Sequence, residues 1–170
     1  MNEISENNKQ KKDLIPQSRR SNSETGEDLA GGMVKVIPAV SDNLPLVLDF
    51  VNENLEKKNC PPRMMMQINI AVEEVFVNIA LYAYDQTIGT AKICAKYLQD
   101  EDAIVLTFID SGKPFDPLAK DDPDIMLSGE ERGIGGLGIY MVKTMVDELE
   151  YEYRDGCNRL MMRRRLHEES

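Results

Sequence analysis

Residues 132–146 read R-G-I-G-G-L-G-I-Y-M-V-K-T-M-V, a glycine-rich loop that runs directly into an apolar segment of helical period. Gly133, Gly135, Gly136 and Gly138 let the backbone turn sharply and approach a ligand closely, because no Cβ intrudes. From Leu137 the spacing predicts a helix, so the loop ends at a helix N-terminus. Unpaired backbone N–H groups and about half a positive charge of macrodipole gather there and favour an anion, phosphate first among them. A flexible linker has the same composition, so the rest of the chain must decide. Gly133, Gly135 and Gly138 also satisfy G-x-G-x-x-G, the dinucleotide fingerprint, which needs a strand just before its glycines. The residues in that place are D-D-P-D-I-M-L-S-G-E-E-R, an acidic loop, and the dinucleotide reading fails on this context.

A chain of 170 residues suits one domain with a tail. Its net charge of −10 argues against a nucleic-acid surface, which needs a basic face. Cys60, Cys94 and Cys157 lack C-x-x-C spacing, which signals neither zinc nor a disulfide framework and suits a reducing compartment. No uninterrupted apolar run approaches the roughly 18 residues of a membrane span. Arg19-Arg20 precedes a polar run rather than an apolar one, so an export signal is rejected. The expectation is a soluble, acidic, cytoplasmic protein with no membrane or nucleic-acid partner.

Residues 1–32 are rich in Asn, Ser, Lys and Glu, and bury too little to offset an ordering entropy of about 1–2 kcal/mol per residue. They read as a disordered polar tail ahead of one domain over 33–167. Met33 to Val40 predicts a first strand, with Pro38 at an edge or at its end. Ser41 or Asp42 then caps a helix carrying Leu46, Val47, Phe50, Val51 and Leu55. Arg63 to Tyr84 is the longest helical signal, with Ile68, Ala71, Val72, Val75, Ile79 and Ala83 on its core face. Met64, Met65 and Met66 fit gap-filling packing better than a ligand box. Glu74 and Asn78 stand four residues apart on one side of that helix, as a functional pair or as ordinary surface residues.

Thr90 to Leu98 alternates as a half-buried strand, and Ala103 to Ile109 is continuous enough for a central one. It opens into Asp110-Ser111-Gly112, where Asp110 either faces a ligand or satisfies the turn amides. Leu118 to Arg132 is long for a tight connection, as lids often are. A short helix over Gly138 to Asp147 follows. Leu149, Tyr151 and Tyr153 then mark a strand, Asp155-Gly156 a hairpin turn, and Asn158 to Leu166 the last strand. The run Arg163 to Arg165 reads as a solvated strand end rather than a nucleic-acid patch. Helices segregated between runs of strands argue for an α+β fold, a two-layer sandwich of a mostly antiparallel sheet with helices on one face.

Three separated motifs carry a family resemblance. A-V-E-E-V-F-V-N-I-A-L-Y-A-Y (Ala71 to Tyr84) resembles the N box of the GHKL ATPases, the superfamily of gyrase, the ninety-kilodalton chaperones, histidine kinases and mismatch-repair ATPases. F-I-D-S-G-K-P-F-D-P (Phe108 to Pro117) resembles its first glycine box, and G-I-G-G-L-G-I-Y-M-V (Gly133 to Val142) its second. The spelling is most similar to the bacterial anti-sigma-factor serine/threonine kinases, over about Met33 to Leu166. The resemblance implies the GHKL (Bergerat) ATP-binding fold, with ATP and magnesium. It assigns Glu74 as the catalytic base, Asn78 as the magnesium ligand, and Asp110 as acceptor from the adenine amino group. Gly112 would let the ring lie against the backbone, beside Phe115. Gly133, Gly135, Gly136, Leu137 and Gly138 would close over the triphosphate, below an ATP lid at about residues 118–134. The sequence departs from the family at Tyr82, where many members carry His, and in the last strand, which holds less Thr and Leu than expected.

The implied function is an ATP-dependent serine/threonine protein kinase and anti-sigma factor. It would phosphorylate an anti-sigma-factor antagonist, sequester a sigma factor, and form a homodimer. The alternatives are a nucleotide-gated binding module without transfer, or a sensor-kinase-type ATPase domain acting on another chain. His167, the only histidine, lies outside any helical-bundle pattern. Gyrase- and mismatch-repair-type machines are not expected, because their large further domains have no counterpart among these 170 residues.

Overall fold

The computed structural model describes residues 24–27, 31–85, 87–119 and 137–167. The strands are β1 (Glu24–Glu27), β2 (Met33–Pro38), β3 (Thr90–Leu98), β4 (Ala103–Asp110), β5 (Glu148–Arg154) and β6 (Cys157–Arg165). The helices are α1 (Leu44–Glu56), α2 (Pro62–Asn78) and α3 (Leu137–Met145). One six-stranded sheet runs β1-β2-β3-β4-β6-β5, and every pairing in it is antiparallel. The expected α+β sandwich is therefore present. One strand lies in the stretch expected to be disordered tail: Glu24–Glu27 pairs with β2 and covers what would otherwise be its free edge.

The period of two on β4 decides where the core lies. Ile104, Leu106 and Phe108 are buried, and the register sets Ile93 and Leu160 on either side of Phe108. Each large side chain buried in this way contributes about 1.5–3 kcal/mol. Asp110 ends the same inward row, so the alternation carries a carboxylate to the edge of the core. Pro38 closes β2, where its missing N–H costs no interior ladder bond. Asp155 and Gly156 both have positive φ (53° and 75°), as the expected two-residue hairpin between β5 and β6 requires.

The helices cover the inward face. α1 buries Val47, Phe50, Val51 and Leu55. Its start differs from expectation: Ser41–Asn43 forms a 3-10 turn, and Asn43 at the N-cap makes no capping bond. The Asn43 side chain instead donates to the Pro38 carbonyl at 2.9 Å, and Pro45 in the first turn needs no donor partner. α2 buries Met64, Ile68, Ala71, Val72, Val75 and Phe76, of which Phe76 extends the apolar face beyond the residues named from spacing. By length and hydropathy, Pro62–Ala83 would suffice to cross a membrane, although polar residues interrupt it and leave no continuous apolar run. Its buried residues, Met64, Ile68, Ala71, Val72, Val75, Phe76 and Ile79, pack into the same cluster as α1 and the sheet. The Arg163–Arg165 run is not simply solvated. Arg163 bonds Glu148 and Glu101, Arg164 bonds Asp147, and the Arg165 amide donates to Asp147.

Candidate functional site

α2 does not stop at its last α-helical residue. Asn78 leads into a π turn, Ile79–Ala83, before the chain becomes extended at Tyr84. Single π turns inside helices occur frequently at functional sites, because the extra residue per turn re-aims the chain beyond it. Here it delivers the Ala83 carbonyl to the Lys113 amide at 2.9 Å. Gly112 is in tight contact with the same residue, and a Cβ there would fall on the Ala83 carbonyl oxygen. The bare Cα of Gly112 is thus what lets the end of α2 reach the turn after β4. Tyr84 bolts this junction. Its hydroxyl donates to the Thr90 carbonyl at 2.7 Å and accepts from the Ser111 amide at 3.1 Å, while its ring occupies the space of a Cβ on Gly89.

The two readings of Asp110 divide between its oxygens. Oδ1 accepts from the Gly112 amide and from Asn158 Nδ2, both at 2.9 Å, which is the turn-satisfying role. Oδ2 has no hydrogen bond among the described residues. Asn158 also donates to the Lys113 carbonyl at 2.9 Å, and its Oδ1 accepts from the Phe115 amide and the Tyr151 hydroxyl. Burial first, then the Asp116 and Asp110 carboxylates, push the Tyr151 hydroxyl above its ordinary range against the lowering effect of the Phe115 amide. Tyr151 therefore remains a proton donor at neutral pH. The Phe115 ring is exposed above this knot.

Glu74 and Asn78 are both half-buried, one turn apart on α2. Leu137 and Gly138 open α3, and a Cβ on Gly138 would collide with Glu74 Oε2. The structure therefore sets the Glu74 carboxylate against the first turn of the helix that follows the glycine loop. Gly133, Gly135, Gly136 and the lid beyond Ala119 lie outside the described residues. Tyr82, where the family often has His, is 69% exposed.

Among the described residues no group of three His, Cys, Asp or Glu side chains is placed to hold a metal ion. A magnesium ion needs no such cage, since it keeps several waters and is commonly shared between one or two protein oxygens and substrate phosphates. Asn78 is half-buried at the end of α2 and carries one side-chain amide oxygen. Asn158 is the site residue that sequence reasoning passed over. The signal was there: Asn158, Leu160 and Met162 form one inward row, and an amide in an apolar row needs partners.

A two-layer α+β sandwich with a carboxylate and an amide at a helix end, an Asp-x-Gly turn closing its central strand and a glycine loop opening another helix is a nucleotide-binding domain of the ATPase type. Residues 37–164 match the family model described as the histidine kinase-like ATPase domain, and the chain belongs to that family. Its curated relatives include the anti-sigma F factor of Caldanaerobacter subterraneus, 31% identical over 55% of this chain and 64% of that protein. The serine-protein kinase RsbW of Listeria monocytogenes is 28% identical over 55% of this chain and 62% of its own length. The match thus spans somewhat less than two thirds of either relative. The solved RsbU and RsbW domains of a Mycobacterium tuberculosis protein superpose with a TM-score of 0.55 at 15% identity, over 81% of this chain and 38% of that one. That likeness concerns the fold.

Proposed function

We propose that this chain is an ATP-dependent serine/threonine protein kinase of the anti-sigma-factor type, acting on an antagonist protein and sequestering a sigma factor. The observation that carries the reading is the Glu74 carboxylate lying against Gly138 at the start of α3, one helical turn from Asn78. A base must meet the attacking hydroxyl where the phosphates are held, and a Glu74 beside the start of α3 supports that reading. Glu74 would take the proton of a serine or threonine hydroxyl as its oxygen bonds to the γ-phosphorus and the bond to the bridging oxygen of ADP breaks. The α3 N-terminus would face the phosphates with unpaired N–H groups. Asn78 would hold magnesium through its side-chain oxygen; the ion, when bound, neutralises charge on the phosphates. Asp110 Oδ2 would accept from the adenine amino group, with Gly133, Gly135 and Gly136 closing over the triphosphate.

Named relatives support the kinase and anti-sigma parts of this reading: one carries the name anti-sigma F factor and another serine-protein kinase. A cytoplasmic homodimer follows from the same family analogy. His167 is unsuited as a phosphoacceptor, since its ring nitrogens face Asp102 Oδ2 at 2.8 Å and the Asn59 carbonyl at 3.1 Å. The test is to incubate the protein with γ-labelled ATP in native lysate and recover its bound partners. Acid-stable label on a partner is expected, and Glu74→Ala should reduce it by about 10²–10⁴-fold with ATP still bound. Undiminished labelling by Glu74→Ala would remove Glu74 as base, and acid-labile label would point to histidine transfer instead.

A further inference from the structure

Asn158 has no hydrogen-bonding capacity left over. Oδ1 accepts from the Tyr151 hydroxyl at 2.7 Å and the Phe115 amide at 3.1 Å. Nδ2 donates to Asp110 Oδ1 and the Lys113 carbonyl, both at 2.9 Å. Two acceptor sites and two N–H groups are the whole inventory of an asparagine side chain. The Phe115 amide can only donate and the Lys113 carbonyl can only accept, so the side chain has one orientation and cannot turn over. With the residue only 7% exposed, water does not replace a lost partner cheaply. An amide so fully engaged does not itself contact a ligand. It orients groups that do.

We infer that Asn158 is a positioning residue for base selection, fixing which oxygen of Asp110 faces the nucleotide and tying that carboxylate to the backbone of Lys113 and Phe115. This rests on the proposed reading of Asp110 as the base-recognising carboxylate. Asn158 and the Gly112 amide both hold Oδ1, so Oδ2 is the oxygen presented. An ionised carboxylate oxygen only accepts, which suits the exocyclic amino group of adenine. A purine with a ring carbonyl in that place would meet it acceptor against acceptor. A carboxyl group free to rotate, or carrying a proton, would lose that discrimination. The same amide holds Lys113 and Phe115 on either side of Pro114, just ahead of Leu118. The orientation of Asp110 and the path of the chain from Lys113 to Phe115 therefore depend on one side chain.

The experiment measures dissociation constants of ATP and inosine triphosphate for the full chain, from neutral to alkaline pH, with thermal unfolding as a control. Wild type is expected to prefer ATP by about tenfold or more at every pH. Asn158→Ala is expected to reduce that ratio several-fold, and Tyr151→Phe to reduce it less, because Asn158 keeps three of its partners. Asn158→Asp sets a second carboxyl beside Asp110, and the two cannot both ionise readily. Its ATP-to-inosine-triphosphate ratio should therefore vary with pH where that of wild type is flat. A merely structural role would weaken both triphosphates by one factor and leave the ratio alone. If wild type binds ATP selectively and the ratio is unchanged in whichever of the three variants remain folded, the inference on Asn158 is overturned and the ATP site stands. If wild type binds neither triphosphate, the ATP reading fails and takes this inference with it.

Discussion

Gly138→Ala offers a separation of chemistry from stability that rests on one contact. Gly138 is the second residue of α3, and the added methyl would overlap Glu74 Oε2 and lie 3.0 Å from Glu74 Cδ. Alanine exceeds glycine in helix propensity by about 1 kcal/mol. The clashing atoms are the free end of a flexible side chain, so the carboxylate swings aside at about 0.5–1.5 kcal/mol of rotamer strain. These effects offset each other, and the melting temperature should stay within about 4 °C of wild type. The chemistry has no such compensation, since displacing a catalytic group by about 1 Å costs on the order of 10²-fold in rate. The assay is single-turnover transfer of labelled γ-phosphate, read as acid-stable label on a recovered acceptor protein, alongside calorimetric ATP binding. A rate near roughly 1% of wild type at saturating ATP with near-normal melting is expected, as is no further loss when Gly138→Ala is added to Glu74→Ala. Transfer at the wild-type rate would show that the Glu74 position beside α3 has no part in the reaction. Global unfolding of Gly138→Ala would show that the carboxylate cannot yield as argued.

Two further outcomes test other parts of the fold. His167 is held above its ordinary pKa first by its hydrogen bond to Asp102 and then by the Asn59 carbonyl, so its contribution is full below about 6.5 and is lost as pH rises through the higher folded value. Asp102 is held below the usual carboxylate range, first by the Tyr97 hydroxyl, and its contribution is lost only as pH falls through that lowered value. The urea midpoint should therefore decline from mildly acidic to alkaline pH in wild type and decline less in His167→Gln; equal slopes would refute this. Tyr84→Phe removes the bond to the Thr90 carbonyl and leaves the Ser111 amide without its acceptor, at a cost of about 0.5–1.5 kcal/mol in denaturant unfolding. No measurable change would mean that the junction is held by the Ala83–Lys113 bond alone.

The regular elements were legible because each obeys one period over its whole length. β4 alternates Ile104, Leu106 and Phe108 inward, and the face of α2 from Ile68 to Val75 repeats at three and four residues. Positive-φ residues Asp155 and Gly156 announced the hairpin in the same local way. The site was legible as motifs but not as a connected object. Ser41 and Asp42 look like ordinary N-caps, yet both fall in a 3-10 turn, and Asn43, which ends it, gives its side chain to a carbonyl five residues back, on Pro38. Asn158 meets Asp110 across 48 residues of sequence, and nothing local in β6 names its partners. The Gly138–Glu74 contact crosses from one helix to another, so the glycine reads as a loop residue until the carboxylate beside it is seen. The strand Glu24–Glu27 has the composition of its polar surroundings, and its pairing comes from the exposed ladder of β2.

The π turn at Ile79–Ala83 behaves as a gauge block between Asn78 and the turn that holds Asp110. Within it Ile79 is buried, while Leu81 and Tyr82 are 54% and 69% exposed, so those two side chains meet solvent rather than the core. The length is another matter. Removing one residue would rotate everything downstream by about 100° and draw it back by about 1.5 Å. The Ala83 carbonyl would then leave the Lys113 amide, and the Tyr84 hydroxyl would leave Ser111. This part of the chain is constrained by how many residues it has more than by which ones they are.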